Sequence, residues 1–382
     1  MIELAPEDSL RLHVLLSGEV QAVRIEEASL TVRALTPQGE VAVRLHPTGR
    51  IDSYLRIVRE LFAGHASGSP GGYPVYLQRW TRMGQVQGGL DRLLLFGEPE
   101  AVISVACSAS LTDELARRAW WAMPDSENAR RMLARRAIVE GRMGEVLATH
   151  LLEHLPFETS PAVLMETVRL LLEPGLLGAE ERERLWQKGK QDRACHVGFL
   201  ERIPDELPET DPPFREEFFP SLQEMAERGN DAARLLARVL SGTGQAFLRT
   251  AAALLRNPQE KEVASASLDA LARYFSILES PSFDSAEEAI RWAKEKAGAD
   301  EVVLAFPELR PEVEAMFALS GIDSRTAYPV LSRTTASGTL LGSKLEPLVL
   351  PVLALMRVLR GGREETEVRR RRRARGGPEI GA

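Results

Sequence analysis

The chain has 382 residues, 44% hydrophobic and 27% charged, which excludes a disordered chain and is too long for one ordinary core. Its two cysteines, Cys107 and Cys195, exclude a disulfide scaffold and point to a reducing cytoplasm. The net charge of −7 divides into +3 over residues 363–382, with seven Arg and four Glu, and −10 elsewhere; an acidic body argues against a broad nucleic-acid-binding surface.

The opening MIELAPEDSLRLHV lacks the basic and apolar regions of a signal peptide. LRLHVLL, VQAVRI, SLTVRAL and EVAVRLH alternate or are β-branched, so residues 10–47 read as an antiparallel meander with turns at Ser17-Gly18 and Pro37-Gln38-Gly39. The helical pattern SYLRIVRELFAGH covers one face. A first domain of 1–66 follows, with a boundary between Gly64 and Gly72; YPVYLQRW, which carries Trp80, begins a new element.

From about residue 90 the pattern is helical. LTDELARRAWWAM and PDSENARRMLARRAIVEG are capped by Ser110 or Thr112 and by Asp125. GRMGEVLATHLLEHL, SPAVLMETVRLLL and AEERERLWQKGKQ continue the series. Short connections and no fixed period imply a mainly α fold, an antiparallel helical array of HEAT-like or irregular-bundle type behind a small β domain. Its first half spans 73–201. The Pro- and acid-rich stretch at 202–217 reads as an extended, solvated linker. The second half spans 214–360, where DEVVLAFPE reads as a short strand or a tight turn. The last helix runs from about Lys344 to Arg360, with Pro347 in its first turn and Pro351 kinking it; its apolar run, Leu348 to Met356, is too short to cross a bilayer. Residues 361–382 read as a disordered basic tail, in which Arg369, Arg370, Arg371, Arg372 and Arg373 are candidates to touch RNA or an anionic membrane.

The sharpest chemical pattern is THLLEHLPFET at 149–159. His150 and His154, four apart, share a helical face, and Glu153 stands between them, so two imidazoles for zinc and a carboxylate base for its water are in one segment. This H-x-x-E-H stretch resembles the zinc-binding helix of the pitrilysin-type inverzincins, which implies a third, downstream Glu ligand; Glu224 and Glu227 lie at a possible distance. The surroundings lack that family's strand–helix–strand context. Met143, Val146, Leu147 and Leu151 share the face of the two histidines, which therefore reads as a core face, and Pro156 ends the helix. The expectation is no metal ligand and no catalytic or cofactor-binding residue, with a zinc hydrolase using His150, His154 and Glu153 as the alternative.

Other patterns read as structure. Cys107 in AVISVACSAS reads as inert core, whereas Cys195, beside Arg193 and His196, is left open as a reactive or sulfur-carrying thiol. GTLLGSK at 338–344 is one residue short of a phosphate-binding loop, and Ser332 to Ser343 reads as a flexible loop. Trp120 and Trp121 pack between helices, one partly exposed as a contact point. Arg130, Arg131, Arg135 and Arg136 form a solvated face, with Glu127 paired to Arg131 and Glu140 to Arg136.

Three segments, GSPGGYPVYLQRWTRMGQ, LTDELARRAWWAMPDSENARRML and HLPFETSPAVLMETVRLLLEPG, resemble the DsrS family of sulfur reduction proteins, encoded with the reverse-acting dissimilatory sulfite reductase of sulfur-oxidising bacteria. The resemblance implies a soluble cytoplasmic protein of sulfur metabolism and no particular mechanism. Together these readings give the expectation of a non-catalytic accessory or scaffold protein that binds a protein partner in the sulfur-oxidation machinery through its helical array.

Overall fold

The computed structural model describes residues 4–67 and 89–362. Trp80, most of the Gly64–Gly72 boundary and the arginines at 363–382 lie outside the described residues. The chain is mainly α, with one small antiparallel sheet near its start. It forms two compact units: residues up to 157 with 173–177, and 158–172 with 178 onward.

In the first unit, α1 (Pro6–Leu16) corrects the expected first strand. Pro6 sits in the first turn with Glu7 and Asp8, the residues that favour a helix start. Asp8, Leu12, Leu15 and Leu16 are buried at helical spacing, so the apparent alternation in LRLHVLL was one side of a 3.6-residue period. Ser17-Gly18 ends this helix and is not a hairpin turn. The meander has three strands, β1 (Ala22–Glu26), β2 (Thr31–Thr36) and β3 (Gly39–Arg44), in order β1-β2-β3. Gly39, at φ 127°, makes the expected β2–β3 turn, where an L side chain would be strained. Val23, Val32, Ala34 and Val43 face a core completed by Leu12 of α1 and by Tyr54, Val58 and Phe62 of α2 (Ile51–Ser67).

The opposite sheet face is polar. Arg24 and Arg33 sit directly across from each other, and Glu26 and Glu40 neutralise them, with Arg33 Nε 2.6 Å from Glu26 Oε1. α5 (Asp113–Ala122) docks there, after α3 (Leu90–Leu93) and α4 (Pro99–Ala106). Trp121 donates its indole N–H to Glu40 (3.0 Å), takes the Arg24 guanidinium on its ring at 4.8 Å, and accepts from it at its carbonyl (3.2 Å). α6 (Ser126–Leu133), α7 (Arg136–Val139) and α8 (Arg142–His154) follow. Thr112 caps α5 and Asp125 caps α6, as their spacing predicts. The pairs Glu127–Arg131 and Glu140–Arg136 form as well.

Among its described residues the second unit has helices and no strand. It comprises α9 (Pro161–Leu171), α10 (Ala179–Lys188), α11 (Arg193–Arg202), α12 (Phe219–Glu227), α13 (Asp231–Leu240), α14 (Gly242–Arg256) and α15 (Lys261–Tyr274). It closes with α16 (Ala286–Ala297), α17 (Glu301–Ala305), α18 (Arg310–Ser320), α19 (Ser324–Leu331) and α20 (Gly338–Leu359). α9 and α11 pack closely because Gly198 presents no side chain: a Cβ there would stand 2.7 Å from Val168 Cγ1. Phe247 of α14 stacks on Tyr274 at 3.9 Å in the core.

Three expectations change here. DEVVLAFPE forms α17, started by Asp300, whose side chain accepts from the Val302 N–H. Residues 338–343 are helical, so the last helix starts six residues early and holds both Pro347 and Pro351 in its interior. At 22 residues it is long and apolar enough to cross a membrane by length and composition, where the shorter apolar run alone is not. Residues 202–217 are not a solvated linker either. Leu207 is buried, Asp205 bonds Arg238 at 2.6 and 2.8 Å, and Arg249 holds both Glu209 and Asp211. Arg215 meets the buried Glu312 at 2.7 Å, and the Phe214 N–H bonds the Leu240 carbonyl. The acids that make this stretch look solvated are the groups that fasten it to the helices.

Candidate functional site

The His-x-x-Glu-His segment lies in the last two turns of α8. Met143, Leu147 and Leu151 form the buried stripe of this helix. Val146 is exposed, His150 is half-buried and His154 is exposed. The two histidines thus stand on the shoulder of the helix and not on its core face, correcting the sequence-based placement. Their carbon neighbours Leu147 and Leu151 enter the core while the imidazoles turn toward solvent.

Each ring has defined partners. His150 Nε2 and Ser126 Oγ, at the start of α6, share a hydrogen bond of 3.2 Å. The edge of Trp120 from α5 meets the His150 ring at 4.8 Å and 75°. The His154 ring stacks on His150 at 3.9 Å and 27°, and its Nδ1 donates to the His150 carbonyl (2.9 Å). Pro156 then ends the α-helix in a short 3-10 turn, which brings Phe157 edge-on to His154 at 6.5 Å. Trp120, His150, His154 and Phe157 form a continuous ladder of rings. Its outer end is Phe157, 79% exposed.

The electrostatics keep the ladder's inner rung neutral. Burial lowers the His150 pKa and the neighbouring His154 lowers it further, against weaker pulls upward from Glu153 and Asp125. A neutral imidazole shares one proton with the Ser126 hydroxyl and offers an apolar face to its ring neighbours. The pair resembles a nucleophile and base. A triad also needs a carboxylate holding the other nitrogen of the base, and Asp125 spends its carboxylate on capping α6, accepting from the Asn128 N–H at 2.8 Å.

Two imidazoles on one zinc place their nitrogens about 2.1 Å from the metal, which sets the ring centres about 5 Å apart with in-plane lone pairs converging. Stacked, nearly parallel rings at 3.9 Å aim their nitrogens side by side, and one nitrogen of each ring is already bonded. Among the described residues no group of three His, Cys, Asp or Glu is placed to hold a metal ion. Of the two candidate third ligands, Glu224 pairs with Arg228 on its own helix, α12; Glu227 ends that helix. These residues do not fit a zinc centre in this arrangement.

The expected burial of Cys107 is corrected. Cys107 is exposed at the end of α4. Cys195 is fully buried in α11, and burial first, then the charge of Asp192, pushes its thiol up to about 12. At neutral pH this keeps the thiol protonated, out of contact with solvent. GTLLGSK forms the first turns of α20.

The sequence reading missed the partners of the ladder, Ser126 and Phe157, and a second constellation in the first unit. Asp8, fully buried, accepts from the His46 N–H (2.6 Å), the Tyr54 hydroxyl (2.6 Å) and His46 Nδ1 (3.0 Å). Tyr54 in turn accepts from the Ala5 N–H at 3.1 Å. This network ties α1, the end of β3 and α2 together. A proline-bounded aromatic directly after a helical imidazole pair was the available signal for Phe157; nothing in the spacing marks Asp8.

Set beside family models, characterised proteins and solved structures, the chain finds no match.

Proposed function

We propose that this chain is a non-catalytic accessory protein of the cytoplasm, which docks a protein partner of the dissimilatory sulfur-oxidation machinery through the ring ladder of its helical first unit. The ladder supports the docking reading. Interfaces concentrate their binding free energy in a few aromatic anchors around which water is excluded, and Phe157 is an anchor-type side chain standing in solvent. His154 stands edge-on to it, backed by His150 and Trp120 in turn, and Val146 on the same helix is 46% exposed. The alternative use of the histidines as zinc ligands, with Glu153 as base, rests on their spacing alone, against which stand the stacked rings and the bonded nitrogen of each. The sulfur context comes from the resemblance of residues 68–85, 111–133 and 154–175 to the DsrS family, two of whose three segments carry Trp120 and Phe157. Two free cysteines fit a reducing compartment.

The test is a comparison of the full chain with its Phe157→Ala and His154→Ala variants as bait in extracts of sulfur-oxidising cells. The expected result is enrichment of a sulfur-oxidation protein by the parent chain and its loss with Phe157→Ala. Repeated recovery of no sulfur-oxidation protein, or equal recovery with both variants, refutes the proposal.

A further inference from the structure

In the second unit, α15 and α19 line a cavity of about 340 Å³. Small-molecule sites run from about 300 to 1,000 Å³, so a compact ligand fits it. Lys261 and Glu262 line it from the first turn of α15, and Arg325 and Tyr328 from α19. Ser265 and Ser332 add two hydroxyl-bearing side chains to the wall. Tyr328 is 68% exposed, so its ring is open to whatever enters.

Positive charge at this cavity exceeds what the chain neutralises. The Lys261 ammonium donates to the Thr334 carbonyl, and the Lys344 ammonium donates to the Thr334 hydroxyl at 2.8 Å. Thr334 is 5% exposed, so two cations converge on one buried, uncharged residue. A carbonyl and a hydroxyl accept hydrogen bonds without cancelling charge, and among the described residues neither lysine forms an ion pair. Lys261 uses one of the three donors an ammonium carries. Arg325 is held differently. Asp323 accepts from its Nε at 2.8 Å and its Nη2 at 2.6 Å, which fixes the guanidinium and leaves Nη1 without a partner among the described residues. A phosphate group can accept from an ammonium, a guanidinium N–H and hydroxyls together. Glu262 on the same wall disfavours a bare anion, whereas a sugar diol beside it finds an acceptor for its hydroxyls. The Tyr328 face is a platform on which a planar ring stacks.

We propose that this cavity binds a small phosphomonoester carrying a sugar and a planar ring, the chemistry of a mononucleotide. Lys261 and Arg325 hold the phosphate with the Ser265 and Ser332 hydroxyls, Glu262 accepts from the sugar, and Tyr328 stacks on the ring. The site lies within the second unit and does not rest on the partner-docking ladder.

The experiment is calorimetric titration of the purified full chain with adenosine monophosphate, adenosine and inorganic phosphate. The monophosphate is expected to bind, and each fragment to bind at least about tenfold more weakly, because each lacks one half of the recognised groups. Lys261→Gln removes the charge and keeps a donor for the Thr334 carbonyl; Tyr328→Ala removes an exposed ring. Each should weaken the monophosphate at least about tenfold, with a melting curve matching the parent's. Amide exchange on the parent chain needs no variant, and the monophosphate should protect residues 261–265 and 324–332. No binding of the monophosphate, phosphate binding as tightly as the monophosphate, undiminished binding by either variant, or protection confined to other segments overturns the proposal. So does binding of a single-stranded oligonucleotide where the mononucleotide does not bind.

Discussion

Removing one oxygen from the first unit tests how that unit is held together. Tyr54 is fully buried, and its hydroxyl does two things: it donates to Asp8 Oδ2 at 2.6 Å and accepts from the Ala5 N–H at 3.1 Å. Tyr54→Phe keeps the ring and its packing and deletes both bonds. The bond to a carboxylate contributes about 1.5–3 kcal/mol and the neutral one about 0.5–1.5 kcal/mol, so the expected loss is roughly 2–4.5 kcal/mol. A denaturant melt gives the total, and amide exchange at Ala5 and His46 localises it to the first unit. Asp8 adds a pH signature. Burial raises its pKa, but the bonds from the His46 N–H, the Tyr54 hydroxyl and the His46 ring outweigh this and hold it below the ordinary carboxylate value. A depressed carboxylate contributes stability that is fully present above its unfolded pKa of about 3.9 and is lost as pH falls through the lower folded value. The parent and the Phe variant should therefore differ most from neutral pH down to about 5, and converge in stronger acid. A loss under about 0.5 kcal/mol, or a difference that widens on acidification, would refute the reasoning.

The other predictions concern packing, thiol chemistry and metal. Gly198→Ala should cost about 1–3 kcal/mol in a denaturant melt, because the new methyl meets Val168 Cγ1 at 2.7 Å; an unchanged midpoint would show that α9 and α11 separate freely. Cys107 should react with an alkylating reagent in the native protein at neutral pH while Cys195, its thiol pushed up to about 12, stays unmodified until denaturation; mass mapping distinguishes them, and equal rates would contradict the buried assignment. Zinc titration followed by desalting and elemental analysis should leave less than one equivalent on the chain, with no change in His150→Ala; stoichiometric zinc lost in that variant would mean that the ring stack opens to chelate.

Periodicity carried most of the architecture and failed where it met short or charged segments. Thr112, Asp125 and the turn at Gly39 were legible because caps and left-handed turns depend on the local chain. LRLHVLL was not, since seven residues fit periods of 2 and 3.6 about equally well, and the choice was made by the buried stripe against the sheet and by Pro6, Glu7 and Asp8 upstream. The 202–217 stretch departs from its composition for a related reason. Acidic and proline-rich composition describes a solvated linker only if no cations wait for it, and Arg238, Arg249 and Arg360 are 20 residues or more away in sequence. Early residues of α20 looked like a loop because Ser, Thr and Gly are poor helix formers; tertiary burial of Leu341 and Leu345 overrides that preference.

The histidine pair shows how one spacing serves two chemistries. Residues four apart in a helix stand about 6 Å apart along its axis on one side, close enough to share a metal or to stack. What decides is where the ring nitrogens point. In α8 the His154 Nδ1–H is taken by the carbonyl one turn back, which lays the ring over His150, and the Ser126 hydroxyl takes His150 Nε2. Neither commitment can be read from an H-x-x-E-H string, because one partner is backbone and the other lies 24 residues upstream. Once stacked, the imidazoles extend the aromatic surface of Trp120 instead of gathering charge. The α-helix ends at His154 itself and passes into a 3-10 turn holding Pro156, in which Phe157 stands edge-on to His154 with its ring in solvent. The proline that weakens the case for a metal helix thus stands beside the exposed anchor, in the 3-10 turn that carries both.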